Sequence, residues 1–184
     1  VIVSDRAGTT RDATDTVVEN KHGKFVFIDT AGIRRKAKVE EAIERYSVLR
    51  AYMAVDRSDV CVIVIDALEG FTEQDSKIAG YAHEQGKGCV IAVNKWDAVE
   101  KDGKTMDEFR KKLEVDFSFM SYAPFVFISA LTGQRLDRLF ELITFVNAQN
   151  AMRIPTGRLN DMLAYATARV QPPSDKGKRL RIFY

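Results

Sequence analysis

Four short groups of residues able to bind a nucleotide occur in order along the chain: Gly8-Thr9-Thr10-Arg11-Asp12, Asp29-Thr30-Ala31-Gly32, Asn94-Lys95-Trp96-Asp97 and Ser129-Ala130-Leu131. The third says most about chemistry. A carboxylate accepts two hydrogen bonds, and guanine presents two adjacent donors, N1–H and its exocyclic amine. Adenine has an acceptor at N1 and no amine beside it, so Asp97 set against adenine would be left unpaired. Sites of that kind reject the wrong base by roughly 10⁴-fold. Near Asp97, Asn94 is placed to tie neighbouring loops together, and the Lys95 stem to cover one face of a base. Ser129-Ala130-Leu131 closes the next apolar run, where the Ala130 N–H would meet guanine O6. For Asp97 alone, a plain helix N-cap is the alternative. Together the two motifs predict a guanine pocket.

The first two motifs suit the phosphate end of such a ligand. Asp29 ends an apolar run and would hold Mg²⁺ through a water, while the Gly32 N–H reaches a terminal phosphate that no side chain crowds. A threonine hydroxyl of the first motif would join the metal, with Thr10 preferred over Thr9. Strand ends with turn-forming residues are the plainer reading of both. Ile33 follows Gly32 where many GTPases carry the glutamine that orients water, so no catalytic residue is assigned. Arg34-Arg35-Lys36-Ala37-Lys38 carries four positive charges in five residues, a solvated loop with access to phosphate or RNA. No G-x-x-x-x-G-K-[ST] phosphate loop occurs in the chain.

The elements that must position these residues follow from the apolar pattern. Runs at 25–29, 60–66, 89–94 and 125–129 are continuous rather than alternating, as in parallel strands covered on both faces. Helical spacing fills 40–55, 73–85, 106–117 and 135–149, the last with a stripe of Leu136, Leu139, Phe140, Ile143 and Phe145 or Val146. Residues 16–19 and 25–28 read as an antiparallel hairpin at one sheet edge. The expected fold is α/β, a doubly wound and mainly parallel sheet. After Asn150 the composition shifts. Pro155 and Gly157 mark a connection, 159–170 a helix, and 178–184 a strand, the opening of a second unit.

Composition sets outer limits. Hydrophobic content of 46% and charged content of 29% are those of a water-soluble globular protein, and the net charge is +2. From Arg153 to Tyr184, seven basic residues stand against two acids, a local +5 that suits a solvated surface or a nucleic-acid contact. Cys61 and Cys89 lie inside apolar runs and read as buried free thiols of a reducing cytoplasm. No stretch is long and apolar enough to span a bilayer, so no membrane partner is expected.

The four motifs, with Ser4-Asp5 ahead of the first, Ile33-Arg34-Arg35 after the second, Glu73-Gln74-Asp75, and Thr132-Gly133 after the last, resemble the bacterial double-Era-like GTPases, the Der (EngA) family. The resemblance covers essentially every residue. It implies that residues 1–150 are that family's second GTPase domain, of P-loop NTPase type. Residues 151–184 would begin its C-terminal KH-like α+β domain, matched at Leu159-Asn160 and 178–184. The family's first strand, phosphate loop and first helix have no counterpart in these residues. Their absence is expected to leave apolar faces and strand edges open, and the chain marginally stable. The resemblance implies a cytoplasmic protein that binds and hydrolyses GTP with Mg²⁺, stimulated by K⁺, and acts with rRNA in maturing the large ribosomal subunit. It also implies that K⁺ does the work of the glutamine that Ile33 replaces. The rival reading is an RNA- or ribosome-binding module with a degenerate nucleotide site, drawn from the basic tail and the Arg34–Lys38 loop.

Overall fold

The computed structural model describes residues 14–29, 41–170, 172–175 and 178–179. Two compact units divide the chain, Val1–Asn150 and Ala151–Tyr184. In the first unit, β3 (Val60–Asp66), β4 (Gly88–Asn94) and β5 (Phe125–Phe127) form a parallel sheet in the order β3-β4-β5. Helices α1 (Glu41–Arg57), α2 (Glu73–Glu84), α3 (Thr105–Asp116) and α4 (Leu136–Asn150) accompany it. β4 is central and buried along its length up to Asn94, as its unbroken run of Cys, Val, Ile and Ala requires.

Alternate residues of β4 feed two cores, because strand side chains point to opposite faces. Cys89, Ile91 and Val93 pack with Ile63, Ile65, Leu113, Phe117 and Phe127 on one face. Val90 and Ala92 pack with Leu139, Leu142, Ile143 and Val146 of α4 on the other. The stripe of α4 therefore closes through Val146, while Phe145 is exposed; Leu142, which the pattern left out, completes it. β3 departs from the expected two-sided cover. Its burial alternates, and Val64 lies exposed on the uncovered side.

Gly88 marks the tightest approach between sheet and helix. A Cβ there would lie 2.7 Å from Cγ1 of Val146 and 3.4 Å from Cγ2 of Val60. Gly88→Ala is expected to lower stability by about 1–3 kcal/mol through overpacking, read as a fall in urea midpoint at constant slope.

The predicted hairpin is present as β1 (Thr14–Asn20) and β2 (Gly23–Asp29), with a tighter turn than expected. The turn is Lys21-His22, and the Asn20 side chain accepts the His22 N–H at 2.8 Å. Its placement corrects the sequence expectation. Among the described residues the hairpin pairs only with itself and hydrogen-bonds to no strand of the parallel sheet. Between β2 and β3 lies a cleft of about 2300 Å³, walled by Phe25, Phe27, Val60, Val62 and Val64. Among the described residues each of those two strands keeps one unpaired edge, since pairing needs neighbours about 4.8 Å apart. Side chains hold the hairpin in place instead. Phe25 packs tilted against Phe140 of α4 and Phe27 meets the same ring edge-on, at ring distances of 5.1 and 5.9 Å. Lys21 and His22 both meet Asp137, and Arg57 meets Asp15.

In the second unit, α5 spans Thr156–Arg169, starting earlier than the sequence suggested. Pro155 is its N-cap residue, with φ −58°, and Gly157 falls inside its first turn. Proline lacks only an N–H that a helix start leaves unpaired anyway. Two short strands, β6 (Ser174–Asp175) and β7 (Lys178–Arg179), pair antiparallel. The rest of the predicted strand 178–184 lies outside the described residues. Among the described residues no helix is long and apolar enough to cross a membrane.

Candidate functional site

Three strand ends carry the polar residues that the apolar runs stop at: Asp66 as the last residue of β3, Asn94 as the last of β4, and Ser129 two residues past β5. Ligands of open parallel sheets bind in this place, beyond the carboxyl ends of the strands. The backbone knits these ends together. The Ala67 N–H donates to the Asn94 carbonyl at 2.9 Å, and the Trp96 N–H to the Ile128 carbonyl at 3.0 Å.

Asn94 ties two loops, because its Oδ1 accepts the Ala130 N–H at 3.0 Å. The amide expected to face guanine O6 is thus held by Asn94. Asn94→Ala is expected to free it, costing about 1 kcal/mol locally and speeding Ala130 amide exchange roughly fivefold.

Lys95 adopts a left-handed backbone, φ 61° and ψ 29°, a conformation that costs a residue bearing a Cβ roughly 1 kcal/mol or more. That kink reverses the chain after β4 and starts the single helical turn Trp96–Ala98. The Lys95 Nζ reaches back to Asp66 Oδ2 at 2.6 Å, and Asp66 Oδ1 accepts the Leu68 N–H at 3.0 Å. Asp66 is the site residue that motif reading missed. Its signal was in plain sight, since it ends an apolar run as Asp29 does.

Trp96 is buried and anchors the turn from below. Its ring lies 4.4 Å from that of Phe127 and 5.6 Å from that of Phe109. Asp97 consequently points outward and is exposed, and no side chain caps the turn, which sets aside the helix-cap alternative. Ser129 is fully buried, and its Oγ accepts the Thr132 N–H at 3.1 Å, so it shapes the loop. Leu131 is 88% exposed at the loop tip. Asp29 ends β2, opposite Thr14. Thr10, Gly32 and Ile33, with the Gly8–Asp12 and Arg34–Lys38 segments, lie outside the described residues.

This geometry places a carboxylate, a lysine stem and a clasped loop at one end of a Rossmann-like sheet. The family described as 50S ribosome-binding GTPase matches residues 1–95. The chain belongs to that GTPase family. Among curated relatives of the chain, GTPase Der of Acetivibrio thermocellus is 65% identical over 184 residues. GTPase Der of Alkaliphilus oremlandii is 60% identical over the same span. The chain spans 42% of the length of each. The fold is that of Era-like P-loop GTPases. Era in complex with MgGDPNP and a segment of 16S ribosomal RNA superposes with a TM-score of 0.67 at 27% identity. That match covers 79% of this chain and 47% of Era.

Proposed function

We propose that this chain is the base-recognising part of a GTP-hydrolysing ribosome-assembly factor acting on the large ribosomal subunit. The observation that supports it most is the Asn94–Ala130 clasp, which fixes two strand-end loops beside the outward carboxylate of Asp97. Asp97 would accept guanine N1–H and the exocyclic amine, and the aliphatic stem of Lys95, steadied by Asp66, would lie against the ring. Ser129 and Leu131 would shape the wall around O6.

Residues 1–150 would be the GTPase domain and 151–184 the start of a KH-like domain. In this reading a strand leading into a phosphate loop would seat between β2 and β3, in the cleft whose two walls are strand edges unpaired among the described residues. Such a loop would bring backbone N–H groups to the phosphates. Mg²⁺ would suit the oxygen ligands offered by Thr10 and, through water, Asp29, as expected for a hard cation. Bound there, it would neutralise charge on the β- and γ-phosphates; Gly32 would offer its N–H to the γ-phosphate. With isoleucine at position 33, K⁺ would take over part of that charge stabilisation. The setting would be the cytoplasm, with GTP, GDP and rRNA as partners.

The test is a titration with fluorescent GDP and a matching ADP analogue, on the chain extended to the full length of its relatives, in Mg²⁺ and K⁺. Guanine-selective binding is the expected result; equal affinity for both overturns the reading. The rival, an RNA-binding module, is favoured by the basic run Arg153–Arg181. It predicts RNA affinity that falls steeply with salt and ignores nucleotide.

A further inference from the structure

The Lys95 side chain does not stay on its own turn. It crosses to the end of the neighbouring strand, where Nζ stands 2.6 Å from Oδ2 of Asp66. The crossing is short because Asp66 and Asn94 are register partners at the last step of β3 and β4. The Ala67 N–H, bonded to the Asn94 carbonyl at 2.9 Å, holds the two ends together. At its other end the lysine is fixed by its left-handed backbone, φ 61° and ψ 29°.

The two members of the pair differ in exposure. The Asp66 side chain is 9% exposed and the Lys95 side chain 49%. The carboxylate is sunk in the strand end, while much of the lysine stem lies open to a ligand. Asp66 is itself held. Its Oδ1 accepts the Leu68 N–H at 3.0 Å, and its backbone carbonyl accepts the Gly70 N–H at 2.8 Å, so the turn after β3 closes around it. A lysine stem moving in water loses rotamer freedom when a flat ring settles on it, and that loss weakens binding. A stem tethered at both ends has already lost it on folding.

We propose that Asp66 is a positioning residue for the nucleotide: it tethers the Lys95 ammonium, so that the lysine stem stands as a platform for a purine face before any ligand arrives. This role rests on the guanine reading of Asp97. The two acids then act on different parts of the base. Asp97 chooses among bases by the atoms of their edge. Asp66 raises affinity for every purine diphosphate that docks there, because the ring face is the same whichever group the edge carries.

The test uses the chain extended to the full length of its relatives. Binding is followed at the indole N–H signal of Trp96, between Lys95 and Asp97, so that this site is the one read. GDP, ADP and inosine diphosphate, which lacks the exocyclic amine, are titrated against the parent and Asp66→Asn. The asparagine keeps an oxygen for the Leu68 N–H and loses the charge that holds the ammonium. Affinity for GDP and for inosine diphosphate is expected to fall roughly three- to tenfold, with their ratio unchanged. In a Lys95→Met background Asp66→Asn should cause no further loss, since no ammonium is left to hold. Before nucleotide is added, the Lys95 ammonium of the parent should give an NMR signal protected from exchange with water, which reads the tether even if Asp66→Asn does not fold. Unchanged affinity in Asp66→Asn, a shifted ratio of GDP to inosine diphosphate, a loss that persists beside Lys95→Met, or an unprotected Lys95 ammonium overturns the proposal. A parent that takes ADP as readily as GDP overturns the guanine reading itself, and the role of Asp66 with it.

Discussion

Asp97→Asn is expected to weaken GDP binding by roughly 10²-fold or more, with the affinity for xanthosine diphosphate rising as that for GDP falls. The carboxylate is exposed on a turn whose fold does not depend on it, so the unfolding free energy should stay within about 0.5 kcal/mol of the parent. With guanine docked, both carboxylate oxygens would accept charge-assisted bonds. An amide supplies one acceptor and turns an N–H toward the base amine, so one bond is lost and a donor–donor clash replaces it. Xanthine carries a carbonyl where guanine carries that amine, and the amide N–H then finds an acceptor. Titrations with the two diphosphates, on the N-terminally extended chain, read the exchange directly. An unchanged ratio between them would mean that Asp97 does not touch the base.

Trp96→Ala carries the largest expected loss of stability, about 3–5 kcal/mol, against a total of roughly 5–15 kcal/mol for a domain of this kind. The indole is 2% exposed and fills the space between Phe109 and Phe127, so its removal leaves a void that neither ring closes without leaving its rotamer. Because Trp96 lies between Lys95 and Asp97, the same void loosens the turn that aims the carboxylate. Urea unfolding should show the lower midpoint, and any nucleotide binding should weaken with it. Trp96→Phe, which keeps most of the volume, should cost less than half as much.

The strands were largely legible because β4 and its neighbours are apolar runs ended by polar residues, and residues 60–66 coincide with β3. Burial explains the runs, and the need for a polar group beyond the last covered residue explains where they stop. The helices were read within one to three residues; for α2, α3 and α4 the reason is related, since their apolar spacing faces the parallel sheet. Local patterning failed where distance in sequence was large. Nothing near Lys95 announces that its ammonium pairs with Asp66, or that a lysine takes a left-handed backbone that favours glycine. Nor does the pattern of 135–149 say whether Phe145 or Val146 turns inward, because that depends on the width of the groove over β4.

The sequence by itself determined the three parallel strands β3, β4 and β5, the residues at their carboxyl ends and the family those residues mark, because each depends on residue type at fixed short spacing; the run 25–29, read as a fourth such strand, is instead antiparallel to β1 with Val26 exposed. Only the tertiary structure decided which of them meet: Asn94 with Ala130, Lys95 with Asp66, Cys61 beside Cys89. It also decided that the hairpin stands off from the sheet across an open cleft. Such relations arise from register and packing between segments far apart in the chain, and a linear pattern carries neither.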